Sequence, residues 1–167
     1  PQEGYASQRE PPTPDPVAVM TDAAARTLGK TSQTVAPRAY PFVTHQNTWT
    51  TTSSSGWASG FFPGALWLLH EITGDDIWKS RARRWQAGIA RGSANRSTHD
   101  VGFMILESFG NDYRLTGNPN ARSHIIRAAG SLASRHVPSV GAIRSWNGPR
   151  GQVRIIIDSM MNMELLF

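Results

Sequence analysis

Apolar positions recur at helical spacing in several stretches separated by glycine, proline and small polar residues, a pattern that predicts an all-α protein. Asp15 followed by Pro16 marks a helix start, and Val17, Val19, Met20, Ala23, Ala24 and Leu28 carry that helix to a stop at Gly29. The Ser/Thr-rich stretch from Thr31 to Ser55 has no helical period. It reads as a long connection held against the body by Tyr40, Phe42 and Trp49. Pro63 opens the next helix through Leu66, Trp67 and Leu69, Thr73-Gly74 ends it, and Asp75 caps a partner over Ile77 to Ile89. The same punctuation then returns. A helix from Gly102 through Met104, Ile105, Phe109 and Leu115 ends at Thr116-Gly117, and Asn118-Pro119 opens its partner, which runs to His136.

The two Thr-Gly stops are 43 residues apart, and one helix-turn-helix per period of that size predicts an array of αα-hairpins. A third unit begins after a Gly/Pro-bearing insertion, Val137 to Arg154, whose Gly141–Trp146 core predicts a short strand. Ile155, Ile156 and Ile157 favour an extended approach. From Ser159 onward, Met160, Met161, Met163, Leu165 and Leu166 predict a largely buried helix. Pro1 to Pro16 hold five prolines among polar residues, so residues 1–16 read as an extended arm and residues 17–167 as part of a single helical domain.

Composition narrows the chemistry. There is no cysteine, which excludes disulfides, a thiolate zinc site and a cysteine nucleophile, and no motif calls for a metal or a cofactor. The net charge is +5 with a sequence pI of about 10.4, and all basic residues but Lys30 and Lys79 are arginine, the side chain suited to carboxylate or phosphate. These arginines are dispersed apart from Arg81, Arg83 and Arg84, so an anionic ligand fits while a nucleic-acid partner does not. No apolar run is long enough to predict a membrane span, and no signal-like segment follows Pro1, which leaves the compartment open.

Asp158 is a lone carboxylate in the apolar run Ile155–Met161, and Asp100 has a matching setting in Thr98-His99-Asp100-Val101-Gly102-Phe103. Both stand at helix entrances, where an aspartate either caps the first turn or occupies a cleft and does chemistry. Isoleucines before Asp158 and methionines after it favour the neutral acid by desolvation, whereas a helix N-terminus favours the anion. Trp57, Asp100 and Asp158 begin successive hairpins. If the hairpins close into a ring, the three meet at one mouth.

The segments Gly56–Leu69, Thr73-Gly74-Asp75, Thr98–Met104, Gly141–Trp146 and Ile156–Met163 resemble, in the same order, the unsaturated glucuronyl hydrolases, glycoside hydrolase family 88. The resemblance covers roughly residues 40 to 167. It implies an (α/α)6 barrel, of which about two and a half of six hairpins are present here, and removal of a 4,5-unsaturated uronic acid from the non-reducing end of lyase-generated oligosaccharides such as glycosaminoglycan fragments. The implied chemistry is hydration of a vinyl ether rather than direct attack at the glycosidic bond. Asp158 is then the general acid/base, and Asp100 the second acid, positioning substrate hydroxyls and water. Trp57 would stack on a sugar face or else serve as a core tryptophan, His99 would donate a hydrogen bond in the site or cap the turn, and Trp146 would form a wall of the site.

Family chains are more than twice as long, and the groups completing carboxylate recognition lie in later hairpins. This implies that the present chain exposes apolar helix faces, tends to self-associate and does not turn over substrate unaided. The alternatives are a related unsaturated rhamnogalacturonyl hydrolase and a non-catalytic helical-repeat or carbohydrate-binding module.

Overall fold

The computed structural model describes residues 14–149 and 152–167. The arm expected over residues 1–16 lies outside them except for its last three residues, of which Asp15 and Pro16 start the first helix. Helix α1 spans Pro16–Thr34, with the Asp15 carboxylate accepting from Val17 N–H at 3.0 Å. It does not stop at Gly29. The hydroxyls of Thr31, Ser32 and Thr34 bond back to carbonyls three or four residues earlier, and Gly29 lies close to the Trp78 and Arg81 side chains.

The stretch expected to be an irregular connection contains a hairpin, β1 Tyr40–His45 antiparallel to β2 Thr48–Thr52. Gln46 and Asn47 both have positive φ, 47° and 60°, which is the two-residue hairpin turn that matches strand twist. Tyr40 is the anchor. Its ring is fully buried and its hydroxyl donates to the Trp85 carbonyl at 2.8 Å, with burial pushing the phenol up to about 12 against the opposing effect of Arg38.

Trp57–Gly60 form a 3-10 turn that runs into α2, Phe61–Thr73, so Pro63 sits within the first turn of the helix instead of opening it. Gly74, at φ 71°, closes α2, and Asp75 caps α3, Asp76–Gln86, by accepting from Ile77 N–H at 2.9 Å. Helix α3 ends three residues before the predicted Ile89, and a 3-10 turn, Ala90–Ala94, follows. The second hairpin starts with α4, Val101–Ile105, passes through a π-helical turn at Leu106–Gly110 and continues as α5, Asn111–Thr116, to Gly117 at φ 69°. Asn118 caps α6, Pro119–Ala133, three residues shorter than expected. Strands β3 (His136–Val137) and β4 (Ala142–Ile143) pair antiparallel, and an isolated bridge joins Thr98 to Trp146. The chain ends in α7, Ser159–Asn162, and a 3-10 turn, Met163–Leu166.

One core joins the hairpins through Leu66, Trp67, Trp85, Met104, Ile105 and Leu132. A polar spine crosses it. Trp67 donates to Gln86, Gln86 to Asp112 at 2.6 Å, and Arg83 and Asn118 each reach the Asp112 carboxylate at 2.9 Å. The fully buried Asp112 thus ties α3 to the α5–α6 junction. Burial by itself would raise its pKa, but the bonds from Arg83, Asn118, Gln86 and Thr116 outweigh it and hold the carboxyl below its ordinary value.

The last helix departs most from expectation. Met160, Met161 and Leu166 are exposed, Ile157 is 86% exposed, and only Leu165 of the apolar set is buried. Among the described residues, no helix is long and apolar enough to cross a membrane.

Candidate active site

Neither acid is a cap. Asp100 and Asp158 precede α4 and α7, but neither carboxylate bonds to the amides of the following turn. They are held elsewhere. Thr98 Oγ1 donates to Asp100 Oδ2 at 2.5 Å, and the other Asp100 oxygen lies 3.3 Å from His99 Nε2. The same Nε2 is 2.6 Å from Asp158 Oδ2. His99 therefore stands between the two carboxylates.

Proton accounting follows from the far side of the ring. His99 Nδ1 lies 2.9 Å from the Ser145 carbonyl oxygen, which only accepts, so Nδ1 carries a hydrogen. A neutral ring then has a bare Nε2, which cannot donate to Asp158. The contact at 2.6 Å needs one shared proton, carried by an imidazolium facing a carboxylate or by a protonated Asp158 facing a neutral ring. The Nε2 and carboxylate oxygens of the three residues lie within 4.8 Å of one another, a donor set of the kind that holds a divalent cation. The shared proton accounts for the short contact without one.

Several groups absent from the sequence reading fix this geometry. Ser145 is fully buried, accepts His99 N–H at its carbonyl (2.9 Å), accepts Ile156 N–H at its hydroxyl (3.0 Å) and meets the Ser159 hydroxyl at 3.1 Å. It ties the β4 extension to the chain entering α7. Asn162, also fully buried, accepts Phe103 N–H at 2.8 Å and so joins α7 to α4. The helices meet at Gly102, where a Cβ would stand 2.5 Å from the Asn162 carbonyl oxygen. Gly60 plays the same part for the Trp57 turn, since a Cβ there would fall 2.1 Å from the Phe103 carbonyl oxygen. Asn162 had a legible signal, a polar residue one helical turn after Asp158. Ser145 had none beyond its place between Arg144 and Trp146.

Trp57, Asp100, Phe103, Trp146 and Asp158 line a cavity of about 200 Å3. Four of the five residues expected at the site thus meet there. The fifth, His99, expected to donate a hydrogen bond in the site or to cap the turn, has a fully buried side chain with both ring nitrogens facing protein groups, and it holds Asp158 from beneath. Trp57 is 48% exposed and stacks edge-on with Phe42 and Phe61, unlike the fully buried core tryptophan Trp67. Ile157, Met160 and Met161, expected from the sequence to surround Asp158, project to the surface instead.

No family model matches the chain. An unsaturated glucuronyl hydrolase of Formosa agariphila is 44% identical over 117 residues, which are 68% of this chain and 29% of that protein, and a crystal structure of a heparin-specific unsaturated glucuronyl hydrolase matches with a TM-score of 0.82. The chain belongs to the unsaturated glucuronyl hydrolases. In that solved glucuronyl hydrolase the match is 35% identical and covers 87% of this chain and 40% of the other. An unsaturated chondroitin disaccharide hydrolase of Streptococcus pneumoniae is 30% identical over 129 residues, 74% of this chain and 33% of that protein. The chain spans about a third of the length of the curated relatives it matches. The helical hairpins described above are part of the (α/α)6 barrel of the glucuronyl hydrolases.

Proposed function

We propose that this chain carries the proton-transfer part of a site that hydrates 4,5-unsaturated uronic acid at the non-reducing end of glycosaminoglycan-type oligosaccharides. The single observation that carries the reading is the 2.6 Å contact of His99 Nε2 with Asp158, which puts a proton on the edge of a cavity walled by Trp57, Phe103 and Trp146. Asp158 delivers that proton to C4 of the vinyl ether, and positive charge develops at C5 and the ring oxygen. Water adds at C5 and its released proton returns to the Asp158–His99 pair. The hemiketal opens with the C5 carbonyl formed, the ring oxygen leaves C5, and the exposed hemiacetal at C1 releases the remaining sugar. Asp100, held by Thr98, accepts from the water or a substrate hydroxyl and so orients the attack. Trp57 offers its exposed indole face to the apolar C–H face of the sugar.

Asp158→Asn keeps the shape of the acid and removes the proton. In a protein that includes this chain and turns over unsaturated chondroitin disaccharide, followed by loss of double-bond absorbance, the substitution is expected to lower kcat by about 10²–10⁴-fold with KM little changed. Turnover equal to that of the parent protein would remove Asp158 from the role. Running unsaturated rhamnogalacturonan disaccharide beside it separates the two substrate classes.

A further inference from the structure

A second cavity, of about 320 Å3, shares no lining residue with the acid cavity and holds no carboxylate among its lining residues, which include Arg96, Arg135, His136, Arg144 and Asn147. Arg135 is only 5% exposed. Its Nε donates to the Arg144 carbonyl at 2.8 Å, and its Nη1 reaches the Arg96 carbonyl and, at 3.3 Å, Asn147 Oδ1. Its Nη2 is buried with no partner, and so is Nε of Arg144. These are the two side-chain groups left in that state among the described residues. Burial and then the charge of Arg144 push the Arg135 guanidinium down from its ordinary value, with Asp100 opposing them.

The buried guanidinium of Arg135 and the partly exposed one of Arg144, each with one buried and idle N–H, line one cavity with exposed Arg96 and His136 and form an incomplete charge arrangement. Such donors cost free energy until something accepts from them, and the best acceptor for a planar guanidinium fork is an oxyanion. We propose that this cavity is an anion site that takes a small oxyanion, namely sulfate, phosphate or carboxylate, between Arg135 and Arg144. The segments flanking it, Arg96 to Asp100 and Arg144 to Asn147, also build the acid site. An occupant would therefore brace His99 and Trp146 from behind. The site stands independently of the hydration chemistry.

The test uses inorganic phosphate up to about 10 mM in constant sodium chloride, where general salt effects stay small. Thermal unfolding followed by tryptophan fluorescence is expected to rise by about 3–5 °C and saturate, and the arginine Nε–H signals of Arg135 and Arg144 to shift over the same concentrations. Arg144→Met should lose both responses while Arg122→Met, on the exposed face of α6, keeps them. If Arg135→Lys fails to fold, the Arg144 variant still decides. A 6-sulfated unsaturated disaccharide that shifts the same signals and is displaced by phosphate identifies a sugar-borne anion, and a response to phosphate alone identifies a free one. Unmoved arginine signals in phosphate, or an Arg144→Met protein that responds like the parent, would overturn the proposal.

Discussion

At the scale of single residues, His99 decides what the two aspartates are. A carboxylate beside a helix start is ordinarily a cap, but here Thr98 holds Asp100 and the imidazole holds Asp158, so neither bonds to the helix amides and a proton is left in the Asp158 contact. Imidazole nitrogen signals are expected to report a protonated Nδ1 at neutral pH, and Asp158→Asn should shift the Nε2 signal. A ring protonated at Nε2 alone would refute the arrangement. Asp112 illustrates a carboxylate with the opposite duty. Its pKa is lowered in the folded protein, so its contribution is complete above the unfolded value of about 3.9 and is lost as pH falls through the lower folded value. Asp112→Asn is expected to cost about 2–3 kcal/mol near neutral pH, measured by urea unfolding, with the gap to the parent closing below about pH 4. A gap that stays constant down to low pH would mean the charge is not what stabilises.

At the scale of elements, the site depends on three helix starts held at contact distance. The turn at Trp57, α4 and α7 approach so closely that Gly60 and Gly102 face backbone carbonyls of their neighbours. Backbone cannot retreat as a flexible side chain can. Gly102→Ala is therefore expected to destabilise by about 1–3 kcal/mol and to push α7 away, carrying Asp158 off His99. Calorimetry and turnover should fall together, and an unchanged melting temperature with full activity would show the two helices freer to part than their contact indicates. The π-helical turn at Leu106–Gly110 belongs to the same element as Asp100, as such turns often do near functional sites.

At the scale of the whole molecule, a larger apolar cavity of about 570 Å3 is lined by Ile143, Ile155, Ile157, Met160, Met163 and Leu166 among others, on both sides of Asp158 in the chain. With Ile157, Met160 and Leu166 exposed on that surface and Met161 exposed on the same helix, the 167-residue chain is expected to self-associate or bind a hydrophobic dye, since each large side chain gains about 1.5–3 kcal/mol on burial. It is also expected to turn over unsaturated disaccharide far more slowly than a full-length relative. Sedimentation and dye fluorescence giving a dye-negative monomer with ordinary enzymatic turnover would contradict both expectations.

The sequence by itself determined the hairpin period, the stops at Gly74 and Gly117, the starts at Asp75 and Asn118, and the matching settings of Asp100 and Asp158 just before apolar segments, because these depend on local backbone chemistry and on repetition. It was silent on the β1–β2 hairpin, whose threonines look like loop residues until Tyr40 is seen buried on Trp85. Only the tertiary structure decided that His99 points inward to Asp158, that Ser145 and Asn162 hold the approach to α7, and that Met160 and Met161 face outward. The physical reason is distance along the chain. His99 and Asp158 are 59 residues apart, as are Phe103 and Asn162, and no local pattern encodes which partner a side chain meets when folding brings two remote segments together.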